Sequence, residues 1–113
     1  MALQKEIELE NGVILNYHRI TSLNKITNFS NNIEVSSYTS ISQRQKEKEY
    51  QEIQLKNINE EQLTEEEQEL LNKGINVFIE TEFIQLPYDE EMTIENAYDY
   101  LLTTEKYKNS SKI

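Results

Sequence analysis

Lys5–Leu23, reading KEIELENGVILNYHRITSL, is the stretch on which the fold turns. Two runs of strand-type residues meet there at Asn11–Gly12. A type I′ hairpin turn needs positive φ at both central positions, and Asn and Gly adopt it at least cost. The spacing predicts a first strand over Glu6–Glu10, with Ile7 and Leu9 on one face, and a longer second strand over Val13–Leu23. In the second, Val13, Leu15 and Tyr17 point one way, and Ile14, His18 and Ile20 point the other. Apolar residues on both faces mark a strand that is central or covered on both sides.

Beyond Leu23 the pattern stays β-like. Asn24–Asn32 (NKITNFSNN) is rich in Asn and Ser, residues that favour turns through local hydrogen bonds. Ile33–Ile41 (IEVSSYTSI) sets Ile33, Val35, Ser37, Thr39 and Ile41 against Glu34, Ser36, Tyr38 and Ser40, the alternation of a half-buried strand. Gln43–Asn57 (QRQKEKEYQEIQLKN) carries charge without apolar spacing. It suits either a solvated ribbon or a polar helix. The lack of a Gly or Pro to stop the preceding strand favours a strand that continues out of the sheet.

Helical signals follow. Thr64 with Glu67 three residues on reads as a capping box, and the clustered Glu residues suit the positive end of a helix dipole. Gly74 stands just past Lys73, where a left-handed residue commonly ends a helix. With only Leu63, Leu70 and Leu71 to anchor it, this helix is expected to be peripheral. Asn76–Leu86 (NVFIETEFIQL) reads as a strand ended by Pro87, the only proline, which cannot donate to a ladder. Thr93 then caps a helix over Ile94–Lys106, in which Ile94, Ala97, Tyr98 and Leu101 form an apolar stripe. The tail Asn109–Ile113 is expected to be loose. The sum is one α+β domain over residues 1–113. It has a four-stranded antiparallel sheet of long hairpins, an acidic helical insertion at 57–74 and a C-terminal helix at 93–107.

Composition narrows the function. The chain has 113 residues, a net charge of −10 and no cysteine. So acidic a chain is disfavoured as a nucleic-acid binder and on anionic membranes, since both affinities come mainly from Lys and Arg. Without Cys there is no disulfide framework and no thiolate chemistry. No apolar run approaches a membrane span, and MALQKEIELE has no apolar core of a signal peptide, so synthesis and folding in a cytoplasm are expected.

Reactive candidates are few. His18 is the only histidine, and a general base usually needs an orienting partner. Its strand neighbours Tyr17 and Arg19 point away from it, so a packing role in the hairpin is the favoured reading. Asp89, Glu90, Glu91 and Glu95 cluster before a helix N-terminus but lack the spacing of a calcium loop, so a solvated turn is favoured over a cation site. The Glu run at 60–69 suits a solvated helix face better than a mimic of a phosphate backbone. Ser30, Ser36 and Ser40 lack a nucleophile-elbow context, and no phosphate loop, dinucleotide fingerprint or zinc spacing occurs. Neither a catalytic residue nor a metal or cofactor is expected. Tyr88, Tyr100 and Tyr107 form a plausible contact set, because tyrosine is favoured at protein interfaces.

Three blocks, taken together, carry a family resemblance: ENGVILNYHRI near the start, IEVSSYTS followed by SQRQKEKE in the middle, and VFIETEFIQLPYDEEMTIENAYDYLLTTEKY at the end. The chain resembles small proteins encoded in tailed phages and prophages of low-GC Gram-positive bacteria, in the region of tail, baseplate and fibre genes. The resemblance covers most of the chain except the Glu-rich insertion, and it brings no catalytic motif. It implies a non-enzymatic virion component, with other phage structural proteins or further copies of the chain as partners. An acidic inhibitor of a host DNA-binding or defence enzyme is the alternative from another class. In the structural reading Arg44, Lys46 and Lys48 face an acidic neighbour, and Tyr17 and His18 are interface candidates on the second strand, one face of which a neighbouring subunit covers.

Overall fold

The computed structural model describes residues 1–113. Its frame is a five-stranded sheet in the order β4-β3-β2-β1-β5, made of β1 (Leu3–Glu8), β2 (Ile14–Ile26), β3 (Ser30–Tyr38), β4 (Ile79–Pro87) and β5 (Ser111–Lys112). Every pairing is antiparallel. The fold is therefore α+β as expected, with one strand more than the sequence suggested. The extra strand comes from the tail. Ser111 and Lys112 pair with Gln4 and Leu3, and Ala2 and Ile113 exchange backbone hydrogen bonds of 3.0 and 2.9 Å.

The Asn11–Gly12 hairpin forms, but not with a type I′ turn. Gly12 has φ 87° and Asn11 is not left-handed. The Gly12 N–H donates to the Leu9 carbonyl, and the Leu9 N–H donates to that of Val13. This is a three-residue connection whose last residue is the left-handed bulge position, which Gly fills without steric cost. Asn11 plays a different part: its side-chain oxygen accepts from the Val13 N–H at 3.1 Å. The second hairpin is equally tight. β2 runs to Ile26, and Thr27–Phe29 turns the chain with Asn28 at φ 61°.

The larger difference lies at Gln43–Asn57, which is helix rather than strand. It falls within α1 (Ile41–Ile58), capped by Ser40, whose hydroxyl accepts from the Gln43 N–H. Gln, Arg, Lys and Glu are all good helix formers, and over many residues those small preferences add. The missing apolar stripe is real: only Ile53 of α1 is buried. α2 (Glu65–Lys73) lies where the sequence placed it, with the Thr64–Glu67 capping box formed and Gly74 at its C-terminal end. It packs on α1 through the Lys56–Glu67 ion pair at 2.9 Å and buries no residue of its own.

The core lies on one face of the sheet, under α3 (Ile94–Leu101) and the turns that follow it. Leu3, Ile20, Ile33, Val35 and Leu86 meet Ala97, Tyr98, Leu101 and Tyr107. α3 stops earlier than its sequence pattern suggested, because Leu102–Asn109 folds into successive turns that carry Tyr107 back onto the sheet. Tyr98 joins the helix to the sheet beyond the end of β1. Its hydroxyl accepts from the Ile20 N–H at 2.8 Å and donates to the Met1 carbonyl at 2.9 Å, so both backbone groups find a partner. On the opposite face α1 covers only the end around Tyr17 and Tyr38, whose rings meet edge to face at 5.8 Å. That cover explains why Ser36 and Tyr38, on the face expected to be solvated, are buried.

Candidate functional site

Chemistry-bearing side chains gather in two places, on opposite faces of the sheet. The first surrounds His18, which is 1% exposed. Its Nε2 lies 2.8 Å from the Lys5 carbonyl oxygen, which can only accept, so Nε2 carries the proton and Nδ1 accepts from the Ser37 hydroxyl at 2.8 Å. Burial lowers the pKa of the ring. The hydrogen bond to the Lys5 carbonyl opposes that shift, and the positive charges of Lys106 and Lys5 add to it. The ring packs edge-on against Tyr107 at 5.4 Å. Tyr107 in turn donates to Glu82 at 2.9 Å, and Lys106 binds the same carboxylate oxygen at 2.8 Å. Burial pushes the Tyr107 phenol strongly upward, and the Glu82 charge adds to it. For Glu82 burial alone would raise the pKa, but the hydrogen bonds from Lys106 and Tyr107 outweigh it and hold the carboxyl below its usual range.

The His18, Ser37 and Tyr107 side chains of this constellation are enclosed, and only Glu82 reaches solvent. Both His18 nitrogens are engaged, Ser37 and Tyr107 are buried, and none of the open clefts of the molecule is lined by any of these residues. What the arrangement does is satisfy polar groups inside the sheet–helix interface. The sequence showed His18 and Tyr107 separately. It did not show that they touch, since the contact depends on the turns after α3.

The second place is a cleft of about 380 Å³ between α1, β2 and α3. Ile41, Arg44, Gln45 and Lys48 of α1 line one side, and Tyr17 and Arg19 of β2 line another, with Met1, Ile94 and Tyr98 at the end. Beside it one Glu47 oxygen accepts two hydrogen bonds and pairs by charge with Arg19, which itself donates to the Tyr38 hydroxyl at 3.3 Å. Tyr38 donates to Oε1 at 2.7 Å, Arg44 Nη1 binds it at 2.8 Å, and Arg19 Nη1 lies at 3.6 Å. Burial raises the pKa of Tyr38, and its bond to Glu47 raises it further. Of the residues singled out in the sequence, Tyr17, Arg44 and Lys48 meet here. Arg19 joins them unforeseen, because only the helical form of residues 41–58 brings α1 over its strand face.

The remaining candidates stay apart. Lys46 is exposed on α1 away from the cleft, and Tyr88 and Tyr100 are separate and partly exposed. No three carboxylate, imidazole or thiol groups converge on a point that could hold a metal ion. Asp89 instead shapes its own turn, with Oδ1 accepting from the Glu91 N–H at 3.0 Å and its carbonyl accepting from Asn31 at 2.8 Å. No helix is long and apolar enough to cross a membrane.

The outer strand β4 supplies the other notable surface. It pairs with β3 on one side only. Phe83, on the face opposite α3, is 75% exposed, and Phe78, Ile79 and, in the neighbouring hairpin turn, Phe29 are exposed as well. The class defined by this architecture is an α+β protein on an antiparallel meander with an open edge strand that bears exposed apolar side chains among polar ones. Comparison with family models, curated proteins and solved structures finds no match to this chain.

Proposed function

We propose that the chain is a non-enzymatic structural subunit of a tailed-phage virion, positioned at the tail tip or baseplate or associated with a fibre. The observation that carries this reading is the open β4 edge, nine residues long and flanked by the exposed Phe83. An unpaired edge offers its N–H and C=O groups to another strand, and exposed aromatic residues beside it add apolar area to such a contact. Monomeric proteins commonly blunt edges of this kind, whereas assembly subunits use them. β4 does carry Glu80 and Glu82, but Glu82 is occupied by Lys106 and Tyr107. The resemblance of the three sequence blocks to tail-region phage proteins supplies the biological setting.

The test is quantitative mass spectrometry of purified virions from a phage that encodes the chain. A fixed stoichiometry relative to tail proteins is the expected result. Absence from particles that are otherwise complete would sink the reading.

A further inference from the structure

We propose that the cleft between α1, β2 and α3 binds an oxyanion carried on a short apolar body. The inference is independent of virion assembly and rests on local charge. The chain holds 21 acidic and 11 basic residues, so a basic site is the exception on its surface. Yet Arg19, Arg44 and Lys48 all line this one cleft. Glu47 is the single carboxylate paired with the two arginines, each through its Nη1 atom, and none is paired with Lys48. Neither Arg19 nor Arg44 gives Nε or Nη2 to a protein acceptor, and Lys48 makes no ion pair. One carboxylate against three cations leaves local positive charge and unused donors in fork geometry, the arrangement that receives a carboxylate or phosphate with two parallel bonds. Holding α1 in place needs less than this, because the Tyr38 hydroxyl already ties Glu47 to β3 and the Arg44–Glu47 pair lies within the helix itself. Apolar groups from Tyr17, Ile41 and Ile94 complete the wall, and a volume of about 380 Å³ accommodates a small organic acid or one acidic side chain with its neighbour.

The experiment is a titration of the whole chain, ¹⁵N-labelled, followed by NMR at the Arg19 and Arg44 Nε–H signals. The probes are 4-phenylbutyrate, its neutral analogue 4-phenylbutyramide, and the capped dipeptide acetyl-Phe-Glu-amide. The carboxylates are expected to shift both signals saturably and the amide is not. Lys48→Gln is expected to weaken the carboxylates by about tenfold, the worth of one charge-assisted hydrogen bond. Because Lys48 has no partner, its thermal midpoint should match the parent. Tighter binding of 4-phenylbutyrate points to a free small molecule, and tighter binding of the dipeptide points to a neighbouring chain. The proposal falls if neither carboxylate saturates, if the amide binds as well as the acids, or if Lys48→Gln binds unchanged.

Discussion

At the scale of single residues His18 shows how burial turns a reactive group into a structural one. Its folded pKa lies below the ordinary value of 6.5, chiefly through burial. An unfolded chain therefore takes up a proton near that value while the folded chain resists it until the pH is lower. The resulting stability is fully present above 6.5 and is lost progressively as the pH falls toward the folded pKa. We expect the thermal midpoint to decline from about pH 6.5 to about pH 5, before protonation of carboxylates dominates. Glu82 enters later, because its lowered pKa makes its own contribution fade only below 4.5. His18→Gln should cost about 1–3 kcal/mol at neutral pH, since the Ser37 hydroxyl and Lys5 carbonyl lose their partner. It should also flatten the slope between about pH 6.5 and 5, and an unchanged slope would place the titrating group elsewhere. The sequence singled out the residue and placed it toward a subunit contact, whereas it is buried within the chain; its partners lie 13, 19 and 89 positions away, beyond the reach of local pattern.

Among the helices packed directly on the sheet, α1 is the one whose attachment is polar. Its link to the sheet runs through Glu47, which accepts from Tyr38 of β3 and pairs by charge with Arg19 of β2, with Ile53 its only buried side chain. Glu47→Ala removes that acceptor and leaves two guanidinium groups facing each other. The expected loss is about 1.5–3 kcal/mol, the range for hydrogen bonds to a charged group. It should appear as faster amide hydrogen exchange throughout α1 while β2 and β3 keep their protection. Equal acceleration in helix and sheet would show that the two unfold together rather than separately. The same feature explains what was legible. β2, β3, β4, α2 and α3 announce themselves by alternation, caps or a stripe of apolar residues, and each begins within a few residues of its expected start, although α3 ends early. α1 has no such stripe, so periodicity was silent. The usable signal was weaker: Ser40 as an N-cap ahead of a long run of good helix formers. β5 was illegible for another reason, because two residues gain strand form only by meeting β1.

For the molecule as a whole, the β4 edge sets the expectation about association. If two copies pair antiparallel about Phe83, that residue faces its own copy, Glu82 faces Ile84 and Glu80 faces Leu86, so no like charges oppose. Such a contact is self-complementary and isologous. Sedimentation velocity should show reversible self-association at high concentration, and Phe83→Lys should abolish it by setting two ammonium groups opposite. The monomer should lose no more than about 0.5 kcal/mol, because the side chain is largely exposed. Self-association that survives the substitution would move the contact to another surface. The opposite edge behaves differently under load. Ala2 and Ile113 are hydrogen-bonded neighbours at one end of an antiparallel pair. Tension applied through the two ends of this segment would open β5 from β1 one rung at a time, like a zipper, instead of shearing all rungs together. The sheet behind it would remain unloaded until that short strand had peeled away, which makes the β1–β5 pair a mechanical fuse in series with a sturdier core.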